Sequence, residues 1–382
     1  MENAITLVVR EVFEVLYSPV KAFKKIIEKP DFKGVLLVLA LVISSMLVTQ
    51  YVGATKYLYE NRAPENDDWT EALTNQHSWL SNGLPSLDNT DYQLGNTNGN
   101  HSITSSVLTE TSIWLKLTDI DAVEVSEETG YKELFFWIKW INEDGASPSS
   151  ATVKLFSGSE NSYFESDITA LLASSGEWTN VTLKVGPEQG WISSNSPDWH
   201  SITGIEFRLD WSSSADLTMK IDGLFFRNFL TTIEMGRFGD GILYGVLQVG
   251  MNWILWAGIL MIVAKLFQEE LGHWNMVFIV IGYVFMATVV TNIASAVAVS
   301  TLPTLTSLLD ATATYYYALN SELWLSSIGY QLLVPIFLIG EVWITALSAT
   351  AIRLLKETTW SKAITISAIA FAIRFLLRFF IG

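Results

Sequence analysis

Five long uncharged or nearly uncharged apolar segments divide this 382-residue chain into a membrane part and a polar insert. They lie at 34–52, 241–264, 276–299, 326–350 and 363–381. A helix of about 20 apolar residues spans the ~30 Å hydrocarbon core of a bilayer. The pattern therefore predicts an α-helical bundle of five transmembrane spans. The whole polar stretch between the first two spans would be an inserted domain.

Apolar and polar residues alternate with period two along much of that insert, which is the spacing of a half-buried β-strand. Such runs lie at 111–117, 134–140, 151–157, 181–185, 205–210 and 217–221. Short strands separated by Gly, Ser, Asn and Pro turns, with no long helical run, are typical of an antiparallel all-β sandwich. We therefore expect the insert to fold as a β-sandwich between spans one and two.

These patterns give the chain five parts in sequence order. They are a cytoplasmic amphipathic segment at 1–33, span one at 34–54, a linker at 55–79, an extracellular β-sandwich at 80–230, and spans two to five within 231–382. The first segment has apolar residues at helical spacing beside several lysines. It could lie in the cytoplasmic membrane interface or pack on the inner end of the bundle, and the two can hold together.

Charge orients the chain in the membrane. Segment 1–33 holds six Lys or Arg, whereas the loop at 300–325 holds none. Positive loops stay inside, so we expect a multi-pass plasma-membrane protein with a cytoplasmic N-terminus and an external insert and C-terminus. Residues 55–230 hold 26 acidic and 10 basic residues, which accounts for the whole net charge of −16. This acidic insert argues against a nucleic-acid partner, because phosphates attract Lys and Arg.

The membrane part resembles the Yip1 domain family in a series of loose patterns that follow the same order across five spans. They are Tyr17-Ser18-Pro19-Val20-Lys21-Ala22-Phe23, Leu266-Phe267 with Gly272, Ile281-Gly282-Tyr283, Glu341-Val342-Trp343 and Trp360-Ser361-Lys362-Ala363. The resemblance implies a five-span bundle after a cytoplasmic N-terminal segment. Family members typically have a short first loop, so the long acidic insert points instead to a prokaryotic, archaeal surface protein.

The insert looks like a galactose-binding-like jelly roll, the architecture of many carbohydrate-binding modules. The residues that carry this resemblance are Trp178–Leu183, Trp199–Ile205 and Ile221–Phe226. Modules of this kind often hold a structural calcium. The resemblance places it at Asp222 with Asp88 or Asp91, since Ca²⁺ takes clustered oxygen ligands. The alternative for Asp222 is a turn before Gly223.

The sequence contains none of the catalytic motifs that combine a nucleophile, a base or a phosphate loop in fixed spacing, so we expect no enzyme activity. Tryptophan is the more informative residue type, because its flat ring stacks on sugars. Trp191 and Trp199 lie in a turn-rich loop and are the predicted ligand-binding pair, with core packing as the alternative. Asn100 and Asn180 open glycosylation sequons on the expected outer side.

Two charged residues lie inside apolar spans, Glu341 in span four and Arg374 in span five. A charge at the bilayer centre costs ~2.5–3.5 kcal/mol on insertion scales, so such groups usually pair or face a cavity. Their depths in the membrane differ by only ~4–5 Å at ~1.5 Å per residue. We expect an intramembrane ion pair that fixes helix packing, with a proton or ion path as the alternative.

Together these features predict a non-enzymatic membrane protein. Its partners would be the lipid bilayer, a glycan or envelope protein on the outer side, and other membrane subunits. Two further functions stay open: a transporter or accessory subunit of a transport complex, and a scaffold for membrane organisation or trafficking.

Overall fold

In this computed structural model the chain separates into two units that match the apolar spans and the alternating strands. The membrane unit comprises residues 1–58, 231–307 and 313–382, and the β-domain comprises 59–230 and 308–312. The structure describes residues 4–66, 68–73, 78–93, 99–126, 130–231, 233–234, 238–308 and 322–381.

Nine α-helices have both of their ends within the described residues. They are α1 Ala4–Tyr17, α2 Pro19–Glu28, α3 Phe32–Ala54, α4 Asp68–Glu71, α5 Phe238–Leu266, α6 Trp274–Val284, α7 Met286–Ser300, α8 Ile328–Lys356 and α9 Trp360–Ile381. Five segments are long and apolar enough to cross a membrane, and α6 and α7 form one of them together. The prediction of five apolar helices is confirmed.

The two N-terminal helices pack on the core of the membrane unit through their apolar faces. Val15 of α1 and Phe23 and Ile26 of α2 are buried in that core. Glu14 is also buried, and its carboxylate accepts a 2.6 Å hydrogen bond from Lys25 Nζ. Other apolar side chains of the two helices, among them Phe13 and Tyr17, are exposed. The structure therefore shows packing on the bundle, and the membrane-interface alternative stays a prediction.

Close helix contacts in the membrane unit depend on small residues. Gly34 of α3 lies against the side chain of Tyr283 in α6, where any Cβ would collide with the phenol. A Cβ on Gly340 of α8 would come within 2.7 Å of the Thr291 methyl group in α7. Small residues let helix backbones approach where no hydrophobic effect drives association in lipid. These two glycines hold adjacent spans at short distance.

Eleven strands are described. They are β1 Tyr57–Ala63, β2 Ser78–Ser81, β3 Ser86–Asp88, β4 Ser102–Thr118, β5 Glu133–Asn142, β6 Ser150–Ser157, β7 Ser159–Asp167, β8 Thr179–Lys184, β9 Ile192–Ser194, β10 Gly204–Thr231 and β11 Leu305–Leu308. Five of the six predicted runs lie wholly within strands, at 111–117 in β4, 134–140 in β5, 151–157 in β6, and 205–210 and 217–221 both in β10. The run at 181–185 extends one residue beyond the end of β8.

The predicted linker at 55–79 is partly wrong, because β1 Tyr57–Ala63 occupies its start and pairs with β10. Its alternation is hidden by a charge: the buried position of β1 is Glu60, not an apolar residue. Glu60 Oε1 lies 3.0 Å from Arg62 Nε and 3.7 Å from Arg227 Nη1. Residues 67 and 74–77 of the linker lie outside the described residues.

The long strands β4 and β10 run through two groups of strands. Residues 204–210 of β10 pair with the second half of β4 and with β6, and we call this group, with β2, β7 and β9, the first sheet. Residues 217–227 pair with the first half of β4 and with β5, which with β3 and β8 form the second sheet.

The two sheets of the β-domain face each other across one apolar core. Phe136 of the second sheet and Phe207 of the first have ring centroids 4.8 Å apart. Both belong to a single cluster of buried side chains that draws on every second residue of the main strands. The residues between these buried positions therefore lie on the outward side of the first sheet, which faces solvent or a ligand.

Candidate functional site

A row of four charged side chains crosses the outward side of the first sheet. Lys116 of β4 lies opposite Glu206 of β10, Glu206 lies opposite Lys154 of β6, and Lys154 lies opposite Glu165 of β7. Facing positions on neighbouring strands lie ~4.5–5.5 Å apart at Cβ. We call these four residues the charged row. They alternate with inward residues that fill the core.

Charges of opposite sign alternate along the charged row. Lys154 Nζ lies 3.5 Å from Glu165 Oε2 and 3.9 Å from Glu206 Oε1. Lys116 is buried at the other end, and its Nζ donates a 2.5 Å hydrogen bond to Glu160 Oε1. Burial raises the pKa of Glu206, and the nearby Lys154 and Lys116 oppose that rise. The four formal charges of the row sum to zero.

Aromatic rings border the charged row. Lys116 Nζ lies 4.4 Å from the ring centroid of Phe156, and Lys154 Nζ lies 4.7 Å from that of Tyr163. The two rings are 6.0 Å apart at 66°. Trp114 is half-buried at an outward position of β4 between buried Ile113 and Leu115. Rings next to hydrogen-bonding charges can stack on one face of a ligand while the charges bind its polar groups.

The charged row was not predicted from the sequence, although the alternation along β10 was. Period-two alternation already placed Glu206 and Arg208 on the face opposite Ile205 and Phe207. It could not tell which strands are neighbours, and Lys116 and Lys154 become neighbours of Glu206 only through strand order.

The structure brings Trp191 and Trp199 together, with ring centroids 6.0 Å apart at 85°. Trp199 also stacks on Phe164 at 3.5 Å and 10°, and Trp191 Nε1 donates a 2.8 Å hydrogen bond to the Lys184 carbonyl. Both rings are half-buried and pack on the core of the β-domain. Phe164 covers one face of the Trp199 ring, so the pair has a packing role, and nothing in the structure tests the ligand role expected from the sequence.

Asp88 and Asp91, two of the three predicted calcium ligands, bind lysines in the structure. Lys220 Nζ lies 2.5 Å from Asp88 Oδ2 and 2.8 Å from Asp91 Oδ2, and Lys139 Nζ lies 2.9 Å from Asp91 Oδ2. Burial alone would raise the pKa of Asp91, but hydrogen bonds from Lys220, Lys139 and Trp178 outweigh it and lower the pKa to about 2. For Asp88 too, hydrogen bonds, above all the one from Lys220, outweigh burial and hold the pKa well below its usual range.

Asp222 is fully buried, and its carboxylate is bound by backbone N–H groups. Its carboxylate accepts hydrogen bonds from the backbone N–H groups of Gln93, at 2.5 Å, and Gly223, at 2.7 Å. Burial raises the pKa of Asp222 to about 7, against the effect of those hydrogen bonds. Across the described ranges, no three His, Cys, Asp or Glu residues are grouped so that they could hold a metal ion. The donor set found here does not argue for calcium, which stays an untested prediction.

Both sequon asparagines are exposed. Asn100 precedes β4, and Asn180 lies in β8 opposite Trp137 of β5. Their exposure is compatible with glycosylation.

In the membrane unit, Arg374 Nη1 of α9 lies 3.1 Å from Glu341 Oε2 of α8. The side chains are 8% and 7% exposed, so this is a buried ion pair. The guanidinium carbon also lies 5.1 Å from the ring centroid of Trp256 in α5. The structure therefore brings together the two charges that the sequence placed at similar depth.

No family model matches this chain, and no curated protein sequence is significantly similar to it. The resemblance of the membrane part to the Yip1 domain family therefore stays an expectation. Among solved structures, the chain is similar to a family 11 carbohydrate-binding module from Clostridium thermocellum in complex with a β-1,3-1,4-mixed-linked tetrasaccharide. That similarity has 12% identity and a TM-score of 0.30, and it covers 44% of this chain and 94% of the module.

Two further carbohydrate-binding modules among the solved structures are similar to this chain at a comparable level. A family 30 carbohydrate-binding module has 15% identity and a TM-score of 0.29, with 41% of this chain and 80% of the module covered. A mutant of a family 29 module has 11% identity and a TM-score of 0.27, with 44% and 92% covered. Because these TM-scores are low, the similarities do not by themselves assign a ligand.

Proposed function

We propose that this chain is a non-enzymatic membrane protein that binds a neutral glycan on the outward side of the first sheet. The observation that carries the proposal is the charged row, in which Lys116, Glu206, Lys154 and Glu165 follow one another across four strands. Sugar hydroxyl groups both donate and accept, so alternating ammonium and carboxylate groups are suitable partners for them.

The charge balance of the row favours a neutral sugar over an acidic one. Its two lysines and two glutamates leave no surplus of positive charge for a sulfate or uronate to neutralise. Trp114 and Tyr163 would supply the apolar surfaces that stack on sugar rings. The burial of Glu206 strengthens its hydrogen bonds to a ligand, because water competes less there.

The proposal includes the membrane topology expected from charge. The N-terminus would be cytoplasmic, while the β-domain and the C-terminus would lie outside. The five helices that are long and apolar enough to cross a membrane would anchor the chain in the bilayer, and Asn100 and Asn180 would carry glycans of their own. Catalysis is no part of this proposal, since the row is built of paired charges that are suited to binding.

A glycan array with the purified full chain tests the proposal. We expect binding to neutral oligosaccharides, and Lys154→Met should weaken it roughly 10- to 100-fold, since a charge-assisted hydrogen bond is worth ~1.5–3 kcal/mol. Trp114→Ala should have a similar effect. Lys184→Met, at an exposed position of β8, is the matched control and should bind like the wild type.

Wild-type protein that binds no glycan on the array, yet captures an envelope protein, would refute a sugar ligand and favour the protein partner. Preferential binding to acidic sugars would contradict the argument from charge balance.

A further inference from the structure

A cavity lined by both apolar and polar side chains lies inside the membrane unit, and all five apolar spans contribute to its wall. Its volume is about 180 Å³. At the ~30 Å³ that a water occupies in the liquid, this volume corresponds to about six waters. Val42 of α3 and Asn252 of α5 line it, as do residues of α7, α8 and α9. A cavity of this size can take a small organic solute.

The buried ion pair lines this cavity, so one solute within it can meet both charges. Glu341 and Arg374 both belong to the wall. Their formal charges cancel, so the cavity is neutral overall but has a positive and a negative end. Adding a lone anion or cation would leave net charge in a low-dielectric site, which is costly. A zwitterion adds no net charge and offers one end to each partner.

Uncharged polar groups complete the wall. Asn252, Thr288, Asn292 and Ser295 line the cavity. The buried hydroxyl oxygen of Thr288 has no hydrogen-bond partner in the described part of the chain. A buried polar group without a partner is destabilising. A polar occupant would remove that cost.

The helix of the third span is interrupted at the same place. Helix α6 ends at Val284 and α7 begins at Met286, and Phe285 between them lines the cavity beside Thr288. Pro335 interrupts the hydrogen bonding of α8 less than two turns before Glu341. Interrupted spans around a polar cavity are a common construction of solute-binding sites in membrane proteins.

We propose that this cavity is a binding site for a small zwitterion of amino-acid type. Its carboxylate would bind Arg374 and its ammonium group would bind Glu341. The site is separate from the charged row of the β-domain, and it stands or falls without the proposed glycan.

Binding of radiolabelled L-alanine to the full chain tests the proposal by scintillation proximity. The protein is held in phosphatidylglycerol nanodiscs, whose lipid offers no ammonium group. We expect saturable binding that excess L-alanine displaces. Propionate and ethylammonium, the two halves of the probe, should displace it at least tenfold less well. Displacement by propionate alone would overturn the zwitterion in favour of an anion.

Two kinds of variant locate the site. Glu341→Gln should weaken alanine binding at least tenfold, while Glu270→Gln, in an exposed loop, is the charge-matched control and should not. Ser295→Leu fills the cavity from α7 and keeps both charged residues, so it should abolish binding even if Glu341→Gln fails to fold. Wild-type affinity in Ser295→Leu, or no saturable binding by the wild type, would refute the proposal.

A lipid headgroup could supply the same chemistry. Phosphatidylethanolamine carries an ammonium group and a phosphate on one small headgroup. The alanine assay is therefore repeated in nanodiscs that contain this lipid. Unchanged alanine binding supports a free solute, whereas loss of binding would assign the zwitterion site to the lipid.

Discussion

Replacing Lys220 with methionine tests the ion-pair cluster in which Lys220 of β10 binds Asp88 of β3 and Asp91. Lys220 is 8% exposed, and its Nζ lies within 2.8 Å of carboxylate oxygens of both Asp88 and Asp91. Methionine keeps most of the length and apolar volume of the side chain but removes the charge. The substitution therefore leaves two aspartates in a half-buried site with Lys139 as the remaining cation beside Asp91.

The cost of this substitution follows from burial. Removing one partner of a buried ion pair costs ~3–5 kcal/mol, because the other charge stays desolvated. Asp91 keeps its contacts with Lys139 and Trp178, so we expect the lower end of that range, about 3 kcal/mol. For a domain of this size each kcal/mol shifts the melting temperature by ~2–4 °C, which gives a loss of about 6–12 °C.

The variant should also change the pH dependence of stability. In the wild type the pKa of Asp91 is lowered to about 2, so its contribution is complete above about pH 4 and is lost as the pH falls through 2. Lys220 likewise lowers the pKa of Asp88, and its removal leaves the hydrogen bonds from Thr90 to oppose the effect of burial. The free energy of unfolding of the variant should therefore fall less than that of the wild type as the pH drops from about 4 towards 2.

Differential scanning calorimetry of the full chain at pH 7, 4 and 3 measures both effects on the β-domain transition. The difference between wild type and Lys220→Met should shrink as the pH falls. Lys184→Met makes the same chemical change at an exposed site and should shift the transition by less than about 0.5 kcal/mol. A Lys220→Met transition within 2 °C of the wild type would refute the reasoning, taking ~2 °C as the effect of under 1 kcal/mol. So would a difference that grows in acid.

Three other predictions follow from the same contacts. Trp199→Ala should lower the free energy of unfolding of the β-domain by about 2 kcal/mol in calorimetry, since its ring stacks on Phe164. An unchanged transition would contradict the packing role of Trp199 and favour a ligand role. Glu341→Gln should destabilise the detergent-solubilised bundle by ~3–5 kcal/mol, and adding Arg374→Gln should recover part of that loss, whereas additive losses would mean no interaction. A reporter fused after Gly382 should read as extracellular, and a cytoplasmic signal would show that the span count is wrong.

The sequence predicted the elements of this protein better than their arrangement. The strand β5 was visible because Leu134, Phe136 and Ile138 repeat every second residue and fill one side of a sheet. The strand β1 was not visible, because a charged residue, Glu60, occupies its buried position and is neutralised by Arg62 and Arg227. Periodicity detects apolar burial and misses burial that ion pairs make possible.

The candidate sites show the same limit. Glu341 and Arg374 could be paired from sequence, because helix geometry converts residue number directly into depth. The charged row could not be assembled, because its members come from four strands whose order no single strand reveals. Asp88 and Asp91 looked like calcium ligands because the lysine between them comes from β10, more than a hundred residues later.

The most direct test of the central claim is fluorine NMR of protein labelled with 5-fluorotryptophan, titrated with a neutral oligosaccharide selected on the array. Trp114 borders the charged row, whereas Trp191 and Trp199 pack on the core at the edge of the first sheet. Substitution of each tryptophan by phenylalanine assigns the three resonances. We predict a saturable shift of the Trp114 resonance while those of Trp191 and Trp199 stay in place. A shift of the latter two with Trp114 unchanged would contradict the account.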